Sequence, residues 1–207
     1  YALQAPGLYA DQTPYTDIPA LAAYFLHALR TVQPHGPYYL GGHSFGGPVA
    51  YEMACQLRQQ GESVALLALF DSAAPVIGNR TIKIERDLAD DVSWLIDAGR
   101  LLARFYQKPF TLTAATLAAL TPAEQLPAFL RWIKADGLVP ADTDEAFVRG
   151  LLTVNKAASQ AIVRYVEQVQ PYAGPVVLFR ALQLTDEDFR AWARTLQDDP
   201  TLGWGAL

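Results

Sequence analysis

Residues 33–48 read QPHGPYYLGGHSFGGP, and this stretch decides the fold. Its apolar residues Tyr38–Leu40 predict a short strand, and helical spacing of apolar residues begins at Phe45. Between them residues 42–46 match G-x-S-x-G, a pattern that is typical of a nucleophile elbow when a strand precedes it and a helix follows. The sequence therefore predicts that Ser44 is a nucleophile exposed at the edge of a sheet.

The glycines of this pattern have a geometric explanation. An elbow holds its serine in a strained backbone conformation, so we expect Gly42 and Gly46 to be glycine because side chains there would collide with the turn. The turn would direct the Phe45 N–H at the oxyanion that develops during attack by Ser44. The alternative interpretation is a glycine-rich turn in which Ser44 only caps the following helix.

A second strand is predicted at residues 64–70, which read VALLALF. This apolar run is too short for a helix of its own and is typical of a central strand buried on both faces. Because strand, helix and strand in this order form a parallel unit, Asp71 would reach the same sheet edge as Ser44. Its carboxylate could there orient and stabilise a catalytic imidazole. The alternative is that Asp71 only caps the turn over residues 71–75.

The remaining segments complete an α/β architecture. Residues 1–4 and 175–179 predict strands, Asp17 precedes a helix with Pro19 in its first turn, and residues 189–192 predict one or two helical turns. Residues from about 80 to 168 show helical spacing, interrupted at Pro109, Pro122, Pro127 and Pro140. We therefore predict a mostly parallel sheet with flanking helices in residues 1–79 and 170–207, and an inserted helical lid in residues 80–169.

The chain has three histidines, and the sequence places none of them as the base for Ser44. His43 directly precedes the serine, so its side chain points to the opposite face of the strand end. His27 lies off the apolar stripe of its helix, and His35 lies in the turn at the amino end of the predicted strand. No histidine follows Asp71, so the order Ser, Asp, His of this motif is not completed within these residues.

Composition argues against several classes of function. The 207 residues carry a formal net charge of −5 with no basic block, which argues against nucleic-acid binding. No apolar run reaches the ~18 residues that a membrane span needs, and the N-terminus lacks a secretory signal pattern. The single cysteine, Cys55, excludes an internal disulfide framework and predicts a reducing, cytoplasmic location.

Two stretches resemble the thioesterase domains of non-ribosomal peptide synthetases and polyketide synthases. They are residues 33–61, QPHGPYYLGGHSFGGPVAYEMACQLRQQG, and residues 64–75, VALLALFDSAAP. The resemblance implies an α/β-hydrolase fold and a serine hydrolase that accepts an acyl, polyketide or peptidyl chain from a carrier protein's phosphopantetheine thioester. It implies Ser44 as the acylated nucleophile, Asp71 as the acid of the triad and Phe45 as one oxyanion donor.

The resemblance also implies a domain that binds no metal or cofactor of its own and a carrier protein on the same polypeptide. Two parts of the family pattern are not found: a Gly-x-His turn beyond the position of Trp204, and a second oxyanion donor before Tyr1. We therefore expect these residues to be part of a domain and to be inactive alone. Release by hydrolysis and by macrocyclisation both stay open, as do a generic lipase or carboxylesterase of the same fold and a non-catalytic fragment.

Overall fold

The computed structural model describes residues 1–9, 12–77, 80–81, 87–181 and 199–207. The chain divides into two compact units. The first, here called the sheet unit, comprises Tyr1–Leu3, Tyr15–Ile84 and Ala158–Leu207. The second, here called the helical unit, comprises Gln4–Pro14 and Glu85–Ala157. These limits differ from the predicted boundaries at residues 80 and 169.

The described elements follow one another in the order α, β, α, β, β, β, then four helices and a last strand. They are α1 (Ile18–Val32), β1 (Tyr38–His43), α2 (Gly46–Gln59), β2 (Val64–Phe70), β3 (Val76–Ile77), β4 (Arg80–Thr81), α3 (Asp91–Tyr106), α4 (Ala114–Ala118), α5 (Pro122–Ala135), α6 (Glu145–Tyr165) and β5 (Val176–Phe179). A 3-10 turn follows at Trp204–Ala206. The helical turns predicted at residues 189–192 lie outside the described residues.

The sheet unit contains a three-stranded sheet in the order β1–β2–β5. Both pairings are parallel, and His43, Phe70 and Phe179 occupy matching positions at the carboxyl ends of the three strands. The predicted α/β class and parallel sheet are confirmed. A separate antiparallel pair joins β3 to β4, a feature that the sequence analysis did not anticipate.

Helices cover one face of this sheet within the described part of the chain. α2 packs on β1 and β2, and α1 packs on α2, so both helices lie on the same side. The opposite face is exposed although it is apolar; its exposed side chains are Tyr39, Leu66, Phe70, Val177 and Phe179. The prediction that β2 is buried on both faces is therefore wrong for the described residues, because an apolar run does not determine where the helices stack.

Local signals set the helix limits of the sheet unit. α1 begins at Ile18 because the Asp17 carboxylate accepts a hydrogen bond from the Ala20 N–H at 2.9 Å. α2 ends before Gly61, whose φ of 80° is readily adopted only by glycine. Residues 1–4 form no strand, so that prediction is wrong; they are exposed and have no strand partner among the described residues.

The helical unit has its own apolar core, formed by α3, α4, α5 and the first turns of α6. α5 continues through Pro127, so the predicted interruption there is wrong. The proline removes one backbone donor, but its neighbours Leu126, Ala128 and Phe129 are buried in this core and hold the helix together. Pro122 instead begins α5, at a position where the missing N–H has little cost.

Candidate active site

Ser44 occupies the sharp turn between β1 and α2. Its φ is 51°, in the left-handed region that residues other than glycine seldom adopt. Its N–H donates to the Phe70 carbonyl at 3.1 Å, which extends the pairing of β1 with β2 by one residue. The strained, solvent-exposed backbone that an elbow requires is therefore present at this serine.

The glycines around Ser44 have unequal roles. A Cβ on Gly42 would lie 2.0 Å from the Gly46 carbonyl oxygen, so this position requires glycine. A Cβ on Gly46 would meet nothing within 4 Å, and the prediction that Gly46 avoids a collision is wrong. The second steric constraint falls one residue later, because a Cβ on Gly47 would lie 1.9 Å from Ser72 Oγ.

Phe45 forms the start of α2. It is the N-cap residue with a helical φ of −56°, and no side chain caps the helix. The alternative in which the Ser44 hydroxyl caps α2 is therefore not what the structure shows. The Phe45 N–H has no acceptor among the described residues and lies at the positive end of the helix, where negative charge is stabilised.

Asp71 follows β2 in a turn that resembles the one at Ser44. Its φ is 42°, and its N–H donates to the Phe179 carbonyl at 2.9 Å. The Asp71 Oδ1 accepts a hydrogen bond from the Ala181 N–H, so the carboxylate is held by the segment after β5 and not by its own turn. Because Ser44 and Asp71 each follow the paired residues His43 and Phe70, they come side by side at the carboxyl edge.

Ser72 belongs to this site and was missed in the sequence analysis. Its side-chain hydroxyl donates to the Ser44 carbonyl oxygen at 2.9 Å, and the residue is only 1% exposed. No local pattern distinguishes Ser72 from the other residues of the turn at 71–75. The contact is visible only once the two strands are paired.

The three histidines lie where the sequence analysis expected. His27 is exposed on α1, and His43 ends β1 on the exposed face of the sheet. His35 precedes β1 and contacts Glu62, with 3.5 Å between Nδ1 and Oε1. The Gly36 N–H, which donates to Glu62, and the nearby His35 lower the pKa of that carboxyl. This pair belongs to the amino end of the sheet, opposite the edge that carries Ser44.

Buried polar groups anchor α2, the helix that follows the elbow. The Tyr51 hydroxyl donates to the Gln170 carbonyl at 2.9 Å, and the Tyr165 hydroxyl donates to Glu52 Oε2 at 2.7 Å. Burial raises the pKa of both tyrosines well above the usual range, so each remains a donor at neutral pH. Burial also raises the pKa of the Cys55 thiol to about 12, which leaves little thiolate to act as a second nucleophile.

Neither a metal-ligand cluster nor a membrane-spanning helix occurs in the described part of the chain. There, no three His, Cys, Asp or Glu side chains come together in a way that would hold a metal ion. None of the described helices combines the length and the apolar character needed to cross a bilayer.

Comparison with known proteins gives consistent matches. A family profile described as "Thioesterase domain" matches residues 1–204. The non-reducing polyketide synthase terA of Aspergillus terreus is 34% identical over 152 residues, which are 72% of this chain and 7% of that protein. Malpinin synthetase of Mortierella alpina is 49% identical over 74 residues, 36% of this chain and 1% of that protein. The chain thus spans a small part of the curated relatives it matches.

Solved structures agree with this assignment. A four-domain nonribosomal peptide synthetase, holo-AB3403, superposes with a TM-score of 0.75 and 31% identity, covering 98% of this chain and 14% of that one. RedJ superposes with a TM-score of 0.54 at 24% identity, covering 92% of this chain and 64% of that one, and supports the fold alone.

Proposed function

Because the chain belongs to the thioesterase-domain family, we propose that it releases an acyl, polyketide or peptidyl chain from the phosphopantetheine thioester of a carrier protein. The proposal is carried by one observation, the left-handed backbone of Ser44 at an exposed strand-to-helix turn. Release takes place through an acyl-enzyme on Ser44, by hydrolysis or by macrocyclisation. No cofactor of the domain's own takes part.

The reaction has two steps, acylation of Ser44 and release of the acyl group from Ser44. A base removes the hydroxyl proton while Oγ bonds to the thioester carbonyl carbon, and the resulting oxyanion is stabilised by the Phe45 N–H. The carbon–sulfur bond then breaks, and the phosphopantetheine thiol leaves with the proton. In the second step water, or an amine or hydroxyl of the chain itself, attacks the ester and restores the Ser44 hydroxyl.

Asp71 orients the base in this scheme. Its Oδ1 is engaged by the Ala181 N–H, while Oδ2 has no partner among the described residues and can accept from an imidazole N–H. His27, His35 and His43 are poor candidates for that imidazole because they lie on α1, before β1 and within β1. We therefore assign the imidazole that pairs with Asp71 to none of these three histidines.

The proposed partner is a carrier protein, and the size of the similar proteins supports this part of the proposal. Three of the proteins named above are a polyketide synthase, malpinin synthetase and a four-domain nonribosomal peptide synthetase, and this chain covers 7%, 1% and 14% of them, respectively. A carrier on the same polypeptide is consistent with that small share. A lid role for residues 80–169 and a cytoplasmic location stay predictions from the sequence.

Turnover of a carrier-bound substrate tests the proposal. The full-length protein is given an acyl group on a carrier's phosphopantetheine and, separately, a short aryl ester. We expect faster release from the carrier and a mass increase on the peptide that contains Ser44. Ser44→Ala should lose both signals, whereas Ser63→Ala, an exposed serine at the amino end of β2, should keep them. Preference for the short ester with no response to the carrier would instead identify a generic esterase.

A further inference from the structure

Ser72 is almost completely buried, with only 1% of its surface exposed. It is adjacent in sequence to Asp71, yet its hydroxyl donates across to the turn after β1, to the Ser44 carbonyl oxygen at 2.9 Å. The Gly47 N–H donates to the same oxygen at 3.0 Å. A carbonyl oxygen accepts two hydrogen bonds, so these donors together satisfy it.

That oxygen matters because of the peptide group to which it belongs. The Ser44 carbonyl and the Phe45 N–H are the two ends of a single planar trans peptide, so they point in opposite directions. A donor that fixes the carbonyl therefore also fixes the direction of the N–H. We infer that Ser72 is a positioning residue of the oxyanion site, one that aims the Phe45 N–H by holding the Ser44 carbonyl.

Steric contacts leave Ser72 little freedom to make a different bond. Its Oγ and Cβ pack directly against Gly47, where an added Cβ would lie 1.9 Å from Oγ and 2.5 Å from Ser72 Cβ. Glycine at this position thus admits the hydroxyl to the space beside the first turn of α2. The contact depends on glycine at 47 and on serine at 72 together.

The backbone of Ser72 is held from a distant part of the chain. The Trp204 indole N–H donates to the Ser72 carbonyl at 2.8 Å, and the Ala74 N–H donates to the Leu202 carbonyl at 2.9 Å. Trp204 is itself buried, with its ring 4.7 Å from that of Tyr51 on α2. A series of hydrogen bonds therefore links residues 202–204 to Ser72, and Ser72 to the peptide group that carries the predicted oxyanion donor.

The inference rests on the proposed function, since it assigns a role at the same nucleophile. It predicts a different mutational effect from the simpler interpretation, in which Ser72 only satisfies the hydrogen-bonding capacity of a buried carbonyl. A structural role alone would lower the free energy of unfolding, while a positioning role also slows the step in which the oxyanion forms. Substrate binding, which precedes that step, should be unaffected in either case.

The test compares Ser72→Ala with Ser72→Cys and Tyr38→Phe in the full-length protein. Tyr38 is a matched control because its buried hydroxyl also donates to a backbone carbonyl, that of Pro34 at 3.0 Å, at the other end of β1. Each variant is assayed for kcat and KM on a short aryl ester, for the rate at which a fluorophosphonate labels Ser44, and for urea unfolding.

We expect Ser72→Ala to lower kcat and the labelling rate about tenfold with KM unchanged, less than the roughly 10²–10³-fold loss when an oxyanion donor is removed outright. Ser72→Cys, which keeps a weak S–H donor, should fall between serine and alanine and carries the test if the alanine variant does not fold. Tyr38→Phe should lose stability but not rate.

A wild-type labelling rate in Ser72→Ala, or an equal loss of rate in Tyr38→Phe, would overturn the inference. The readouts also separate it from the proposed function. If the fluorophosphonate labels Ser44 of the wild-type protein but carrier-bound thioesters are not released, the proposed function is wrong. The comparison of the Ser72 variants then still tests the positioning role of Ser72. If Ser44 does not label at all, both fail together.

Discussion

The two turns at the carboxyl edge of the sheet have the same backbone geometry but are held in different ways. Ser44 and Asp71 both lie in the left-handed region, with φ of 51° and 42°. Each donates its N–H to the last residue of the neighbouring strand, Phe70 in one case and Phe179 in the other. The chain enters α2 directly after Ser44, whereas residues 72–75 after Asp71 have no regular structure.

The supports of the two turns account for the difference. The first combines local support with one tertiary contact: Gly42 lets the Gly46 carbonyl approach and Gly47 donates back to Ser44, while the distant Ser72 also donates to the Ser44 carbonyl. The second contains no glycine within residues 71–75 and relies on contacts from residues 179–181 and 202–204. A strained turn can therefore be maintained by local sequence or by tertiary contacts, and the two supports should fail differently when mutated.

The largest effect is expected at the second turn, through its charge. Asp71→Asn keeps a residue that tolerates the left-handed region and an oxygen to accept from the Ala181 N–H, but removes the negative charge. We expect kcat for Ser44-dependent turnover to fall about 10³-fold, because the base loses its orienting carboxylate. Steady-state kinetics of the full-length protein measure it. Asp17→Asn, at the N-cap of α1, is the matched control, and activity within about threefold of wild type would contradict the role of Asp71.

The next effect is on stability and concerns the first turn. Gly42→Ala places a Cβ 2.0 Å from a backbone oxygen that cannot move away, so we expect a loss of about 3 kcal/mol in the free energy of unfolding. Gly46→Ala meets nothing within 4 Å and should gain about 0.5–1 kcal/mol through the unfolded state. Urea unfolding of both variants measures the contrast. Equal effects at the two positions would show that the steric argument is wrong.

The smallest effect concerns the support of the second turn and depends on pH. Asp199 accepts hydrogen bonds from the Thr201 hydroxyl and N–H and from the Gly203 N–H, at 2.6–2.8 Å, and so shapes the segment that carries Trp204. These bonds, first that of the Thr201 hydroxyl, lower the pKa of Asp199. A lowered pKa contributes stability above the pKa of the unfolded state, and that stability is lost as pH falls through the folded pKa.

We therefore expect Asp199→Asn to lower Tm by about 2 °C at pH 7 and to differ less from wild type as the pH falls below about 4. Thermal unfolding across this range provides the measurement. A difference that stays constant with pH would mean that the carboxylate charge of Asp199 plays no part.

The comparison also explains which parts of the site could be predicted. The prediction for Ser44 comes from its own neighbours, because strand, glycine and helix signals all lie within about one turn of it. The prediction for Asp71 comes from a topological rule, since parallel strands bring their carboxyl ends to one edge. Gly46 was assigned a steric role that belongs to Gly47, because the colliding atom, Ser72 Oγ, comes from the other turn.

The sequence by itself determined the elements that depend on short-range physics: the strands β1 and β2, the N-cap of α1, the end of α2 before Gly61, and the elbow at Ser44. Only the tertiary structure decided which sheet face the helices cover and which residues brace the two turns. Ser72 is 28 residues from Ser44 and 132 from Trp204, so both bonds join parts of the chain that are far apart in sequence. Contacts at such separations leave no local periodicity, because side-chain patterns report burial and not the identity of the partner.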